Sequence, residues 1–220
     1  MKVEAVLLDL DGTLIDTAPD LVAVLNILLA HRRLPPIPFA IARNEVSNGA
    51  LGLIRLGLGE QESEEEVERL RQEFLEVYIQ NICIKSSLFN GIGAILNDLD
   101  ECGTSWGIVT NKPHAMTQPL LKSLNLLHRP GCLICGDSLP QRKPHPAPLQ
   151  AGAKELGIPT KHCVYVGDAR KDIDAGRAAG MPTIAASYGY IHPYDDPYQW
   201  GASAVIRRPA DLLNALKELE

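Results

Sequence analysis

The sequence lacks the features that would place it in a membrane, on nucleic acid or in the secretory pathway. No uninterrupted apolar run approaches the ~18–20 residues that a membrane span needs. The net charge is −6 and lysines and arginines form no basic run, so general nucleic-acid binding is not expected. The first residues lead directly into an apolar segment, without the basic region and cleavage site of a secretory signal. We therefore expect a cytoplasmic protein that binds neither a membrane nor nucleic acid.

Cysteine is scarce, and its arrangement argues against disulfides and zinc. The chain has five cysteines, an odd number that does not suggest a disulfide framework. Cys132 and Cys135 form a single Cys-x-x-Cys pair, a pattern shared by redox and zinc sites. No second pair follows and no histidine pair has ligand spacing, so we interpret both as buried thiols at the ends of a strand over 132–135.

The segment 3–10 predicts a strand that is buried on both faces. It is mostly apolar with little alternation of polarity, as in a parallel sheet covered by helices. Asp9 and Asp11 follow, and then the Gly12 turn. Side chains two apart on extended backbone point the same way, so both carboxylates should face one small volume, where they repel unless a proton or cation lies between them. The alternative is an ordinary aspartate-rich turn.

The rest of the chain divides into an all-helical block and an alternating block. Residues 16–84 carry helical patterns and no strand candidate, with Thr17 and Asp20 placed to cap the first helix, a loop signal at Val46-Ser-Asn-Gly49 and an amphipathic helix over 62–82. Beyond residue 88 the predicted strands are 106–109, 132–135, 163–166, 183–186 and 204–206. Strands that alternate with helices predict a parallel sheet with right-handed crossovers. We therefore predict a Rossmann-like, doubly wound α/β core of residues 1–15 and 85–220, with an inserted helical domain of residues 16–84, here called the cap.

Three later segments of the predicted core carry polar groups suited to phosphate or metal. The strand at 106–109 ends in Thr110 and Asn111, the loop after the next strand contains Lys143, and the strand at 163–166 runs into Asp168, with Asp172 one helical turn further on. Taken singly these are weak signals, because a lysine in a loop is usually surface and Gly-Asp is usually a turn. Because parallel strands present their carboxyl ends at one edge of a sheet, their joint occurrence favours one site.

These motifs resemble those of the haloacid dehalogenase superfamily of phosphatases, and the resemblance covers the whole chain. The matching segments are Asp9-Leu-Asp11-Gly-Thr13, Thr110-Asn111, Lys143-Pro144, and Gly167-Asp168 with Asp172. Within the superfamily the chain is most similar to phosphoglycolate phosphatases. Those enzymes have a substrate-specificity loop in the cap, and Arg43 with residues 46–49 resembles it. Residues 188–202, here called the tail, are similar to a branch that acts on N-acetylmuramic acid 6-phosphate. Ala169 departs from the pattern, since relatives often carry a polar side chain there.

The resemblance implies a phosphatase with a Mg²⁺ cofactor and a small phosphate ester as its substrate. Asp9 would be the nucleophile that forms an aspartyl-phosphate, and Asp11 the acid and then the base. Magnesium would be held by Asp9, Asp168 and the backbone carbonyl of Asp11, while Asp172 orients its waters. Charge on the phosphoryl group would be stabilised by Thr110, Asn111 and Lys143.

The cap is expected to choose the substrate. The resemblance places Arg43, Ser47, Asn48 and Gly49 in substrate binding, and Arg43 is suited to a carboxylate. That favours N-acetylmuramic acid 6-phosphate or 2-phosphoglycolate, both of which carry a carboxylate. The alternative for Arg43 is a surface salt bridge.

Other functions remain open at this point. A phosphoglucomutase-like phosphotransferase shares the motifs and the cap. A metal-independent haloacid dehalogenase shares the nucleophile, but its chemistry needs no second carboxylate such as Asp11. A non-catalytic binding protein is disfavoured because every motif residue is present. Monomer and dimer are both compatible with the sequence.

Overall fold

The computed structural model describes residues 2–59 and 63–219, and its centre is a parallel β-sheet. The strands are β1 (Ala5–Leu8), β2 (Ile15–Asp16), β3 (Ser87–Leu88), β4 (Ser105–Val109), β5 (Leu133–Ile134), β6 (Cys163–Gly167), β7 (Thr183–Ala186) and β8 (Ala204–Ile206). Six of them form the main sheet in the order β5-β4-β1-β6-β7-β8, and every neighbouring pair is parallel. The predicted burial of the first strand is confirmed, because all four residues of β1 are buried.

Alternate residues of β1 belong to two different apolar clusters. The helices are α1 (Ala18–His31), α2 (Phe39–Ala42), α3 (Gly49–Leu58), α4 (Glu64–Gln80), α5 (Ile92–Glu101), α6 (His114–Ser123), α7 (Ala147–Leu156), α8 (Arg170–Ala178) and α9 (Leu212–Glu218). Val6 and Leu8 pack in one cluster with residues of α5, α6 and α9. Ala5 and Leu7 pack in the other with residues of α7 and α8. Helices therefore cover both faces of a parallel sheet, which confirms the Rossmann-like, doubly wound α/β fold.

The helices α1, α3 and α4 pack on one another around a separate apolar cluster. Its members include Leu25, Leu53 and Phe74, which are almost completely buried. Helix α4 corresponds to the helix predicted over 62–82, of which residue 62 lies outside the described part. The domain boundaries at residues 16 and 84 stay a prediction.

Three local expectations in the cap were wrong. Asp16 is not helical, because β2 pairs antiparallel with β3 in a two-stranded ribbon between residues far apart in the chain. Thr17 precedes α1 but makes no capping bond; its hydroxyl donates instead to Asp11, 2.6 Å away. Residues 46–49 are not an irregular loop, since a 3-10 helix spans Arg43–Asn48. The ribbon depends on a partner distant in sequence, the Thr17 bond on a competing acceptor six residues away, and the 3-10 helix on a segment too short to show a period.

Three of the five cysteines are buried free thiols, and Cys132 and Cys135 are among them, as predicted. Cys132, Cys135 and Cys163 are buried and unbonded to one another, and burial raises the pKa of Cys135 to about 11. The strand between the first two is shorter than predicted, covering only Leu133–Ile134. Among the described helices, none combines the length and the apolar character needed to cross a bilayer.

Candidate active site

The functional side chains gather at the carboxyl ends of the central strands, where the order of the strands along the chain reverses. From β1 the chain proceeds to β4 and β5 on one side, and then crosses to β6, β7 and β8 on the other. Such a switch point leaves a crevice at the carboxyl ends of the central strands, where open α/β sheets bind ligands. Asp9 follows β1 and Asp168 follows β6, two strands that are direct neighbours.

Lys143 connects the carboxylates at this crevice. Its Nζ lies 2.8 Å from Oδ1 of Asp9 and 2.8 Å from Oδ1 of Asp172, and it donates to the Tyr165 hydroxyl at 2.7 Å. Two carboxylate oxygens and one hydroxyl oxygen therefore surround this ammonium at 2.7–2.8 Å. Burial alone would lower the pKa of Lys143, but the carboxylates of Asp172 and Asp9 outweigh it and raise that pKa. The lysine therefore stays charged in a buried position.

Asp168 is a buried acidic group that three donors hold in place. Its Oδ2 accepts from the backbone N–H of Tyr190 at 2.8 Å and from the Ser47 hydroxyl at 3.0 Å, while the Thr13 hydroxyl donates to Oδ1 at 3.3 Å. Burial, followed by repulsion from Asp172 and Asp9, raises the pKa of Asp168 to about 7. A carboxylate in this position therefore gains from a nearby cation.

The donor set fits a small hard cation. Carboxylate oxygens of Asp9, Asp168 and Asp172 lie within 4.8 Å of one another, and all three residues are buried. Three carboxylates beside one lysine leave an excess of two negative charges, which one divalent cation would neutralise. An all-oxygen set of this kind suits Mg²⁺. The carboxylate of Asp11 is not part of this group.

Asp11 faces a different cation from Asp9. Its carboxylate accepts from the Thr17 hydroxyl and lies 3.2 Å and 3.3 Å from Nζ of Lys112. That ammonium also lies 4.5 Å from the ring centre of Tyr78, in the cap. The repulsion between Asp9 and Asp11 expected from the sequence is therefore offset by a separate lysine for each. Sequence reasoning assigned no role to Lys112, although its place directly after Thr110-Asn111 was a usable signal.

The motif after β4 holds the loop that carries Lys143. The Asn111 side chain donates to the backbone carbonyl of Lys143 at 3.0 Å and accepts from the backbone N–H of the same residue at 3.0 Å. Thr110 is buried, and its hydroxyl accepts from the backbone N–H of Lys112 at 3.2 Å. The structure thus shows Asn111 fixing the backbone on either side of the Lys143 side chain.

A cavity of about 340 Å³ lies between these groups and the cap. Its core side is lined by Asp9, Asp11, Thr110, Asn111, Lys112, Pro113, Met116, Arg142 and Lys171, and its cap side by Leu21, residues 46–51, Arg71, Phe74, Leu75 and Tyr78. This volume is near the lower end of the ~300–1,000 Å³ common for small-molecule sites. Both predicted catalytic aspartates and the predicted cap residues Ser47, Asn48 and Gly49 therefore border one space.

Arg43 lies outside the residues that line this cavity. Its guanidinium donates to the backbone carbonyls of Gly189 at 2.8 Å and Tyr188 at 3.1 Å, and it stacks 4.8 Å from the ring centre of Tyr190. The partners that the structure records for Arg43 are backbone carbonyls, and not the carboxylate of the alternative surface salt bridge. Arg43 instead fastens the cap to the tail.

The 3-10 helix that begins at Arg43 brings the cap into contact with the core. The Ser47 hydroxyl reaches Asp168, and the Ser47 carbonyl accepts from Nζ of Lys171. Asn48 borders the cavity while its side-chain amide donates to Glu45 at 2.9 Å. The cap segment that the sequence singled out thus reaches a candidate metal ligand directly.

The comparisons with known proteins agree with this geometry. A family model described as haloacid dehalogenase-like hydrolase matches residues 6–186. An N-acetylmuramic acid 6-phosphate phosphatase from Pseudomonas aeruginosa is 39% identical, over 98% of this chain and 96% of that protein. A phosphoglycolate phosphatase from Xanthomonas campestris pv. campestris is 43% identical, over 94% of each chain. The crystal structure of a predicted phosphoglycolate phosphatase from Haemophilus somnus superposes with a TM-score of 0.87 at 28% identity, covering 97% of this chain and 98% of that one.

Proposed function

Because the chain belongs to the haloacid dehalogenase-like hydrolase family, we propose that it is a magnesium-dependent phosphatase that uses an aspartyl-phosphate on Asp9. The observation that carries this proposal is the group of three buried carboxylates with Lys143 among them, of which Asp9 lines the cavity. The substrate is a small phosphate monoester that carries a carboxylate. The Pseudomonas aeruginosa relative is named for N-acetylmuramic acid 6-phosphate and the Xanthomonas campestris relative for phosphoglycolate, and both esters carry a carboxylate.

The metal would be held by Asp9, Asp168 and the backbone carbonyl of Asp11, with Asp172 beside them. Bound magnesium would supply positive charge close to the phosphate oxygens. Lys143 supplies a second positive charge and holds Asp9 at 2.8 Å, so the nucleophile has one orientation before the substrate arrives. Thr110 and Asn111, at the end of β4, complete the set of groups that face the transferring phosphoryl group.

The reaction has two displacements at phosphorus. In the first, an oxygen of Asp9 bonds to phosphorus as the ester bond to the leaving oxygen breaks, and Asp11 gives that oxygen a proton. In the second, Asp11 takes a proton from water, whose oxygen bonds to phosphorus while the bond to Asp9 breaks. The products are an alcohol and inorganic phosphate, and Asp9 is regenerated.

Asp11 is positioned for proton transfer by neighbours outside the metal cluster. Thr17 donates to its carboxylate at 2.6 Å, and Lys112 lies 3.2 Å away on the cavity side. These contacts keep the carboxylate at the cavity wall, where a leaving oxygen would arrive. The cap closes the cavity above it and excludes bulk water from the phosphoenzyme.

Between the two candidate esters we propose that N-acetylmuramic acid 6-phosphate is turned over with a higher kcat/KM than 2-phosphoglycolate. The support is the resemblance of the tail together with the 39% identity to the Pseudomonas aeruginosa enzyme. Ser47, Asn48 and Gly49 supply small and polar groups along the cap side of the cavity. Faster turnover of 2-phosphoglycolate would reverse this ranking.

The test is phosphate release with and without metal. Activity should disappear with EDTA and return with magnesium, and Asp9→Asn should abolish both phosphate release and acid-stable labelling of the protein by a ³²P-labelled ester. Asp174→Asn is the matched control, because Asp174 is an exposed carboxylate on the helix that carries Asp172. Full activity in EDTA, or more than a few per cent of wild-type activity in Asp9→Asn, would refute the mechanism.

A further inference from the structure

One face of α4 forms a wall of the cavity. Arg71, Phe74, Leu75 and Tyr78 all line it, at spacings of three, four and seven residues from the first. Residues at these spacings lie on the same side of a helix. The wall is therefore a continuous strip of one helix. Arg71 lies at one end of the strip, Tyr78 at the other, and Phe74 and Leu75 lie between them.

The two ends of this strip differ in what they face. Tyr78 lies beneath Lys112, whose ammonium contacts Asp11, so this end belongs to the phosphate side of the cavity. Arg71 lies seven residues earlier, about 10 Å further along the helix axis. A ligand whose phosphate is at Asp9 meets Arg71 only with its distant end.

The cations that line the cavity are engaged to different degrees. Lys112 is paired with Asp11, Lys171 donates to the Ser47 carbonyl, and Arg142 donates to the Gly136 carbonyl at 2.6 Å. The contact that the structure records for Arg71 is with Glu68, at 2.9 Å on the same helix. The Glu68 side chain is 58% exposed, and pairs of this kind contribute little to stability. The Arg71 guanidinium can therefore exchange this partner for a ligand at small cost.

We propose that Arg71 is the receptor for the substrate's carboxylate, and that it selects esters whose carboxylate lies far from phosphorus. The proposal rests on the proposed phosphatase function and names its substrate class. A guanidinium donates two parallel N–H bonds to a carboxylate, which fixes direction as well as charge. Leu75, the partly exposed apolar residue of the strip, then packs against the carbon skeleton between the two anionic groups, while Phe74 and Tyr78 are buried.

The length of the ligand follows from this placement. In 2-phosphoglycolate about three bonds separate phosphorus from the carboxyl carbon, or roughly 4 Å. In N-acetylmuramic acid 6-phosphate about eight bonds separate them, which gives roughly twice that span. The longer ester extends along the α4 strip towards Arg71, whereas the shorter one ends near Tyr78.

The experiment removes the carboxylate from the substrate and its receptor from the protein. kcat/KM is measured for N-acetylmuramic acid 6-phosphate and for N-acetylglucosamine 6-phosphate, the same kind of sugar phosphate without the carboxylate. Arg71→Ala should lose about 10- to 100-fold on the first ester and less than about 3-fold on the second. Arg71→Lys should recover part of the loss, since it restores the charge without the paired donors.

Arg69→Ala is the matched control. Arg69 lies on the same helix, its side chain is 59% exposed, and it pairs with Glu66 away from the cavity lining. It should behave as wild type on both esters. Thermal unfolding of each variant verifies that the fold is intact.

The possible outcomes separate this inference from the function on which it rests. Equal losses of Arg71→Ala on both esters, or no loss on the carboxylated one, would overturn the receptor while leaving the phosphatase proposal intact. Wild-type protein that releases phosphate from neither ester would overturn the proposed function, and Arg71 with it. Only a loss confined to the carboxylated ester supports the receptor.

Discussion

A methyl group at residue 12 would collide with the carboxylate of Asp168. A Cβ added to Gly12 would lie 2.6 Å from the carboxyl carbon of Asp168 and 2.8 Å from its Oδ1. Comfortable heavy-atom contacts begin at ~3.5 Å, so either the carboxylate or the Gly12 turn must shift by ~1 Å. Gly12 also has φ +83°, where alanine costs roughly 1–2 kcal/mol. We therefore expect Gly12→Ala to combine a modest loss of stability with a displaced metal ligand.

Gly157 allows these two effects to be separated. It ends α7 with φ +70°, and a Cβ there meets nothing within 4 Å among the described residues. Gly157→Ala should therefore carry the backbone cost alone, lowering Tm by about 2–4 °C per kcal/mol of lost stability for a chain of this size. Gly12→Ala should show a similar or somewhat larger drop in Tm. A difference in activity between the two variants then reports on Asp168.

The assay is phosphate release titrated with magnesium. A catalytic group misplaced by ~1 Å costs on the order of 100-fold in rate, so we expect that loss of kcat in Gly12→Ala together with a higher half-saturating magnesium concentration. Gly157→Ala should keep wild-type values for both. Wild-type kcat and magnesium dependence in Gly12→Ala would refute the close approach on which the reasoning depends, as would an equal loss in Gly157→Ala.

The remaining predictions change one charged side chain or the metal ion. Lys143→Met leaves the buried Asp9 and Asp172 unpaired, so the free energy of unfolding measured in urea should fall by about 3–5 kcal/mol and phosphate release should stop. The exposed control Lys154→Met should change neither. An unchanged free energy of unfolding in Lys143→Met would contradict the pairing. Asp20→Ala removes the acceptor of the Lys85 and Ser86 N–H groups and should lower Tm by roughly 5 °C. Asp98→Ala changes an exposed aspartate and is the control. Equal Tm values for the two variants would speak against a stabilising role of these hydrogen bonds. Calcium should restore less activity than magnesium to EDTA-treated protein, because its looser coordination misplaces Asp9, and equal rates would argue against the proposed site.

The elements of the main sheet were predictable because burial on both faces produces a simple pattern. A strand such as β1, covered by helices above and below, must be apolar at every position, and it is. The ribbon of β2 and β3 was not predictable, because two residues carry no period and the pairing joins Ile15 to Leu88. Nor could the Thr17 bond to Asp11 be foreseen, since the same hydroxyl is an equally good capping group for α1.

The residues of the site also divide into those that the strand pattern predicts and those that it does not. Asp9, Lys143, Asp168 and Asp172 follow strands that end at one edge of the sheet, so topology alone brings them together. Lys112 escaped because a lysine one residue beyond a motif looks like any surface lysine, although the structure buries it against Tyr78. Arg71 escaped for a stronger reason. Its importance depends on how α4 lies over the crevice, and no local pattern contains that information.

The cap segment near Arg43 and the tail were singled out as two separate signatures, but in the structure they are one contact. Arg43 donates to the carbonyls of Tyr188 and Gly189, and the next residue of the tail, Tyr190, donates through its backbone N–H to Asp168. Ser47, four residues after Arg43, donates to the same carboxylate. A substitution in either segment therefore alters the hydrogen bonds that both segments donate to Asp168, a candidate metal ligand. It follows that the similarity of the tail to a substrate-specific branch does not require the tail to touch substrate, because the tail can act by fixing where the cap segment meets Asp168.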